Sequence, residues 1–183
     1  MPAAASAVVV RPCTDADLEV LVRVWPTSGV HEAHVARAAS GDASYLVAWD
    51  GEEPLGSGLV RWTGPVGENA AAAFPSAVEI CHLQVREGAR GRGVGTAIIH
   101  RAEVLVVDAG AVTVAVGVSV DNPGAERIYE RLGYRRAGVK DVSRYSWTTP
   151  SGEVRHEVEV DRLLVKELAS PQVRGDAAPA AQP

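Results

Sequence analysis

The sequence predicts an α/β domain in which a mixed β-sheet is covered by helices. Strand-like and helix-like segments alternate through the middle of the chain, and apolar runs flank short turns near both ends, as in β-hairpins. With 183 residues, 46% of them hydrophobic, one domain can bury a sizeable core. We expect that domain over residues 7–168, between a flexible start at 1–6 and a disordered Pro/Ala-rich tail at 169–183.

The first third of the chain predicts a strand, two helices and a hairpin. A short strand over 7–11 precedes Thr14, which can cap a helix, and Asp17 stands three residues later as in a capping box. The apolar positions of this helix predict a buried stripe of Leu18, Leu21, Val22 and Trp25. A second helix is expected over 29–39, and two apolar runs around residues 50–51 predict the hairpin.

The middle of the chain predicts a strand, a helix and a second strand. Residues 63–76 are expected to form a loop, and 77–85 to form a strand that ends in a glycine-rich segment. A helix that Gly110 ends should follow, with an apolar stripe at Ile98, Ala102, Leu105 and Ala109. The β-branched run over 111–119 predicts a strand that is covered on both faces.

The last third predicts a capped helix and a C-terminal hairpin. Asn122 can cap the helix, Pro123 suits its first position and Gly133 ends it. The apolar face of this helix should contain Ala125, Ile128, Tyr129 and Leu132. Two runs around 143–149 and 154–168 flank a Pro-Ser-Gly turn, which predicts the hairpin.

Composition excludes several classes of protein. The net charge of −5 argues against a nucleic-acid-binding protein and favours a cationic partner. No apolar run is long enough for a membrane span, and the start of the chain lacks the pattern of a signal peptide, so we expect a cytoplasmic protein. Cys13 and Cys81 form no metal-binding or disulfide pattern and are expected to be buried apolar fillers.

The segment "REGARGRGVG" at residues 86–95 contains four glycines and three arginines between a predicted strand and a predicted helix. Such a turn presents free backbone N–H groups and the positive end of a helix dipole, to which phosphate oxygens bind. Neither the P-loop pattern nor G-x-G-x-x-G is present, whereas Arg90, Gly93 and Gly95 fit R-x-x-G-x-G. The alternative is a tight turn whose arginines are only solvated.

Three segments resemble the GNAT superfamily of N-acetyltransferases. "LQVREGARGRGVGTAIIHRAE" is similar to its acetyl-CoA motif, [QR]-x-x-G-x-[GA] between a strand and a helix. "DNPGAERIYERLGY" resembles its second motif, and "VVVRPCTDADLEVL" resembles its first strand and helix. The matches occur in the right order over residues 7–168. The resemblance implies a mostly antiparallel sheet of about seven strands.

The resemblance also implies a binding site for acetyl-CoA, used as a cosubstrate, and no metal. Backbone N–H groups of the loop would bind the pyrophosphate, and the pantetheine arm would pair with the preceding strand. The implied cofactor-contacting residues are Leu83, Gln84, Val85, Arg90, Gly91, Arg92, Gly93, Val94, Gly95, Thr96, Asn122, Ala125 and Tyr129.

Attack of an amine on a thioester requires a base, because an alkylammonium of pKa ~10 is mostly charged at neutral pH. Glu79 is the candidate, since it interrupts an apolar strand and matches a glutamate that many family members carry. Its alternative role is that of an exposed residue at the start of the strand. Tyr129 matches the phenol that protonates or stabilises the thiolate, and its alternative role is core packing. The backbone near Leu83 would polarise the thioester carbonyl.

Histidines near these positions leave two questions open. His82 is either an alternative base or acceptor contact, or a side chain packed under a helix. In a regular strand Glu79 and Cys81 share one face and His82 the other, whereas a bulge would reverse the phase. "HEAHV" lacks the zinc-protease spacing, so His31 and His34 are expected on a solvated helix face.

We therefore expect an enzyme that transfers acetyl from acetyl-CoA to a primary amine of a small molecule, by direct attack in a ternary complex. Acidic residues in the last hairpin, among them Asp161, favour a cationic acceptor. The alternatives are a non-catalytic acyl-CoA-binding sensor or an acetyltransferase of peptide or protein N-termini. The chain is expected to act as a monomer or homodimer, without nucleic-acid or membrane partners.

Overall fold

Seven strands form one mixed sheet in the computed structural model, which describes residues 8–148 and 153–169. The strands are β1 (Val9–Pro12), β2 (Ala43–Asp50), β3 (Glu53–Arg61), β4 (Val78–Val85), β5 (Thr113–Ser119), β6 (Arg135–Thr148) and β7 (Val154–Glu167). Their spatial order is β1-β2-β3-β4-β5-β7-β6, with β4 and β5 parallel and all other neighbours antiparallel. This confirms the predicted fold class.

Five α-helices of the described chain cover the sheet: α1 (Asp15–Val24), α2 (Val30–Ala39), α3 (Glu68–Ala73), α4 (Val94–Asp108) and α5 (Pro123–Arg131). Thr14 and Asp17 form the predicted capping box of α1. The Asn122 side chain accepts a hydrogen bond from the Ala125 N–H at 3.0 Å and so caps α5. None of the described helices has the length and apolar character that a bilayer crossing requires.

The core lies on both faces of the sheet. One face packs against α4 through Val78, Ile80 and Ile98, and the other packs against α1 through Leu21 and Tyr45. The central residues of β5 are buried in succession, as predicted for a strand covered on both faces. This packing on both faces holds the central strands β4 and β5 in place.

The predicted loop at residues 63–76 is wrong in part, because it contains α3. Asp141 of β6 accepts hydrogen bonds from the N–H groups of Asn69 and Ala70 at 2.8 and 3.0 Å. This cap comes from a distant strand, so nothing in the local sequence indicates it.

Three residues predicted on apolar helix faces are exposed: Val22, Ala109 and Ile128.

The predicted flexible start at 1–6 and the Pro/Ala-rich tail beyond Ala169 lie outside the described residues, as does the turn that joins β6 to β7.

Candidate active site

Strand β4 contains a β-bulge at His82 and Leu83. Leu59 pairs with Cys81 and Ser57 pairs with Gln84, so two residues of β4 stand opposite one residue of β3. His82 has φ 50°, a sparsely populated conformation for a residue with a side chain. The bulge reverses the phase of the strand, which the sequence left open. Cys81 packs on the α1–α2 side, whereas Leu83 packs on the α4 side.

Strands β4 and β5 separate soon after they pair. Only Val78 with Val114 and Glu79 with Ala115 form the parallel register, and the strands diverge from there. The β5-facing edge of β4 over residues 83–85 therefore has no strand partner in the described sheet. It borders a cavity of about 1040 Å³.

Most of the residues predicted to contact the cofactor line this cavity. The exceptions are Arg92 and Tyr129. Arg92 instead forms an ion pair with Asp50 at 3.2 Å and lines a smaller adjoining cavity of about 470 Å³. The sequence missed further lining residues: Trp25, Arg86, Glu87, Ala89, Ile128 and Arg131. Ile128 and Arg131 could have been found as neighbours of Ala125 on one face of α5.

The glycine-rich loop ends in a set of backbone donors. Gly91 and Gly93 have φ values of 73° and 79°, which disfavour any residue with a side chain. The first hydrogen bond of α4 runs from the Ala97 N–H to the Gly93 carbonyl at 2.9 Å. The N–H groups of residues 94–96 therefore have no acceptor within the helix. Such donors at a helix N-terminus suit a pyrophosphate.

Glu79 lies at the closed end of the separation between β4 and β5. It is 6% exposed, so the predicted alternative of an exposed position is wrong. The Val66 N–H donates to its Oε2 at 3.2 Å, and the Arg61 Nε lies 3.6 Å from the same atom. Burial raises the pKa of Glu79 to about 7; Val66 and Arg61 oppose the rise, and nearby Asp161 and Asp141 add to it. No described residue donates a hydrogen bond to its Oε1.

Tyr129 packs in the core on the α4 side of the sheet. It is 6% exposed, and its ring contacts the Tyr134 ring edge-on with centroids 5.3 Å apart. Burial raises the pKa of Tyr129 to about 12, and the Cys81 thiol contributes to the rise. The phenol therefore remains protonated at neutral pH and can act as a hydrogen-bond donor. Tyr129 therefore does pack in the core, which was the alternative role considered for it.

The histidines of α2 are not on a solvated face, so that prediction is wrong. His31 and His34 are 1% and 8% exposed, because this face of α2 packs on β2. His31 is within hydrogen-bond distance of the Tyr45 hydroxyl at 2.6 Å and the Trp25 carbonyl at 2.8 Å. His34 instead contacts the ring of His82, which is exposed rather than packed under a helix.

The two cysteines are free and half-buried. Burial raises the pKa of both Cys13 and Cys81 to about 12, so both thiols stay protonated and are weak nucleophiles at neutral pH. Within residues 8–148 and 153–169, no group of three or more His, Cys, Asp and Glu side chains is placed to hold a metal ion.

Comparison with known proteins agrees with this geometry. A model of the Acetyltransferase (GNAT) family matches residues 12–134. The chain belongs to the GNAT acetyltransferase family. A mycothiol acetyltransferase from Geodermatophilus obscurus is 36% identical over 104 residues, which is 55% of this chain and 31% of that relative. The match thus spans less than a third of the relative's length.

Solved structures show the same fold at low sequence identity. An N-acetyltransferase from Staphylococcus aureus Mu50 has a TM-score of 0.63 at 15% identity, covering 90% of this chain and 100% of that one. The yncA protein of Salmonella typhimurium, solved with its cofactor acetyl-CoA, has a TM-score of 0.63 at 16% identity, covering 97% and 100%.

Proposed function

We propose that the protein transfers an acetyl group from acetyl-CoA to a primary amine, which attacks the thioester directly in a ternary complex. The observation that carries this proposal is the separation of β4 from β5, which opens a strand edge beside a buried carboxylate. The free edge at 83–85 and the carboxylate of Glu79 stand on the same strand. A binding module needs the edge but has no use for a buried carboxylate with a raised pKa.

Acetyl-CoA is the cosubstrate that the cavity fits. Backbone groups of residues 83–85 can pair with the amides of its pantetheine arm as an added strand would. The N–H groups of residues 94–96 can bind its pyrophosphate, and Arg90 adds positive charge at the same loop. The side chains of Ala125 and Ile128 offer apolar contact across the cavity.

Glu79 and Tyr129 have the properties that proton transfer requires. With a pKa of about 7, Glu79 is substantially ionised at neutral pH and can accept a proton from an ammonium group. The N–H of Leu83 can polarise the thioester carbonyl. Tyr129, which is protonated at neutral pH, can donate a hydrogen bond to the departing thiolate and can pass its proton to the sulfur when another group reprotonates the phenol, because the CoA thiol has a pKa of only ~8.5.

Carboxylates near Glu79 favour a cationic small molecule as acceptor. Asp161 of β7 stands beside Gly117 of β5, where an added Cβ would lie 3.8 Å from the Asp161 Cβ. Partial burial raises the pKa of Asp161, and Glu159 and Asp141 add to the rise. Within the described chain none of these three carboxylates has a cationic partner. Asp161→Asn should raise KM for a diamine but not for a monoamine that has no second cationic group, whereas Glu167→Gln at the other end of β7 should change neither KM.

A screen of amines with detection of released CoA thiol tests the proposed function. The panel should include diamines, neutral amines, amino acids and short peptides with free N-termini. Thiol release that depends on an added amine supports the enzyme. CoA binding without release with any member would favour the acyl-CoA sensor, and release with peptides alone would favour an N-terminal acetyltransferase.

Binding of the cosubstrate can be tested with two glycine variants. Gly93→Val should weaken CoA binding, because valine disfavours φ 79° and distorts the donors that follow. Gly110→Val is the matched control, since Gly110 has φ 80° at the opposite end of α4. Calorimetry that finds equal CoA affinity in both variants would refute the assignment of the loop.

A further inference from the structure

The proposed reaction removes two protons from the acceptor nitrogen. An ammonium R–NH₃⁺ becomes an amide R–NH–CO–CH₃, so one proton leaves before attack and a second leaves after the C–N bond has formed. The departing sulfur takes the electron pair of the C–S bond and one proton, and one proton reaches solvent in total. Glu79 can hold one proton, but it is 6% exposed and has limited contact with bulk water. A second proton acceptor, exposed to solvent and on the same face of the sheet as Glu79, would complete the path of the protons to solvent.

His82 occupies that position because of the bulge. In a regular strand it would point to the α4 side, away from Glu79. With φ 50° and the reversed phase, its ring contacts α2 on the face that Cys81 and Glu79 share. His82 is also exposed, whereas Glu79 is not. Strained backbone at a non-glycine residue persists where the surroundings enforce it, often at functional sites.

His34 supports the ring of His82 from α2. The two ring centroids are 4.7 Å apart, and the planes are tilted by 47°. His34 is 8% exposed, and its Nε2 is buried without a hydrogen-bond partner among the described residues. Burying an imidazole nitrogen in this way costs free energy. The His34 ring contacts the Tyr45 ring, with centroids 5.1 Å apart, as well as the ring of His82.

The surroundings keep both imidazoles uncharged before reaction. Burial lowers the pKa of His34 to about 4, with His82, Arg37 and His31 adding to the effect. Partial burial lowers the pKa of His82 as well, and Arg37 of α2 and Arg61 of β3 contribute. A neutral imidazole has a free lone pair and can therefore accept a proton at neutral pH.

We propose that His82 is a catalytic residue that accepts the second proton from the acceptor nitrogen and releases it to solvent, and that His34 is its positioning residue. The inference rests on the proposed function. Glu79 takes the first proton, the nitrogen lone pair forms the C–N bond, and Tyr129 protonates the sulfur. The proton held by Glu79 then reprotonates the phenol of Tyr129, and the proton on His82 passes to solvent. One proton is therefore released to solvent per turnover.

Chemical rescue tests the role of His82. His82→Gly relieves the strain at φ 50° and leaves room for free imidazole, so the variant should fold. We expect kcat at pH 7 to fall by roughly 10- to 100-fold with KM for acetyl-CoA unchanged, and added imidazole to restore much of the loss. His100→Asn, at an exposed histidine of α4, should match the wild type. Wild-type kcat in His82→Gly, or a loss that imidazole does not relieve, would overturn the assignment.

Two variants of His34 separate positioning from packing. His34→Gln keeps a polar group beside His82, whereas His34→Phe keeps the ring but removes both nitrogens. A positioning role predicts a higher kcat in His34→Gln than in His34→Phe, and a packing role predicts the reverse order. If the wild type releases no thiol with any amine, the proposed function itself fails. If the wild type is active and His82→Gly equals it, only the inference on His82 fails.

Discussion

Two glutamates of this protein are shielded from solvent to the same degree, but their pKa values are shifted in opposite directions. Glu79 on β4 is 6% exposed, and Glu126 on α5 is 5% exposed. Glu126 accepts hydrogen bonds from Arg136 at 2.6 Å and Arg162 at 3.0 Å, and these arginines hold its pKa below the ordinary value. Glu79 has a single backbone donor and a more distant Arg61, so burial dominates and raises its pKa to about 7.

The comparison shows that burial alone does not identify a proton acceptor. A cation within hydrogen-bond distance keeps a buried carboxylate ionised and fixes it as a structural anchor. Glu126 serves in this way, because it ties α5 to β6 and β7 and so holds the helix against the cavity. Glu79 lacks such a partner and keeps one oxygen available, which is the arrangement that general-base catalysis requires.

The largest expected effect is on turnover in Glu79→Gln. We expect kcat at pH 7 to fall by roughly 10- to 1000-fold, because glutamine cannot accept the ammonium proton. The deficit should shrink as pH rises and free amine becomes abundant. Glu126→Gln is the matched control and should retain turnover. The measurement is the pH dependence of thiol release for both variants, and full activity of Glu79→Gln at pH 7 would remove Glu79 from the mechanism.

A smaller effect is expected on stability in the same variant. Because the pKa of folded Glu79 is about 7 and that of an unfolded glutamate is ~4.3, the fold loses stability as pH rises from ~4.3 to 7, where the carboxyl ionises in the unfolded state but stays protonated in the folded state. Glu79→Gln should therefore be more stable than the wild type at pH 8, by about 1–3 kcal/mol, and the difference should vanish near pH 4. Denaturant unfolding at both pH values measures it, and a variant less stable at pH 8 would contradict the raised pKa.

The smallest effect is expected in Glu126→Gln, with the opposite pH dependence. The lowered pKa means that Glu126 contributes stability above the unfolded pKa of ~4.3, and that this contribution is lost as pH falls through the folded pKa. The variant should unfold at a lower temperature than the wild type at pH 7, by a modest amount because Arg136 is largely solvated. The difference in unfolding temperature between the variant and the wild type should narrow at pH 3. A difference that widens at pH 3 would contradict the ion pairs of Glu126 with Arg136 and Arg162.

The sequence predicted the parts of the fold and site that local chemistry determines. Thr14 and Asn122 were identified as helix caps, and Gly110 and Gly133 as helix ends, because these signals lie within a few residues of the features they control. The loop at residues 86–95 was likewise identified from its glycine spacing. Most of its residues line the cavity, and its binding to acetyl-CoA stays a prediction.

Features that depend on distant contacts were missed or left open. The cap of α3 by Asp141 joins residues far apart in the chain, and the burial of His34 follows from the packing of α2 on β2. The phase of His82 depends on the register with β3, which alternation of residue types does not reveal. The ion pairs of Glu126 also come from later strands, so sequence patterns alone could not distinguish it from Glu79.

The most direct test of the difference between the two glutamates is an NMR titration of the glutamate side-chain carboxyl carbons between pH 3 and 9. The wild type should show one carboxyl that titrates near pH 7 and is absent from Glu79→Gln. It should also show one that titrates below the ordinary range and is absent from Glu126→Gln. If every glutamate of the wild type titrated below about pH 5, close to the free side chain, Glu79 would not be the proton acceptor proposed for this site.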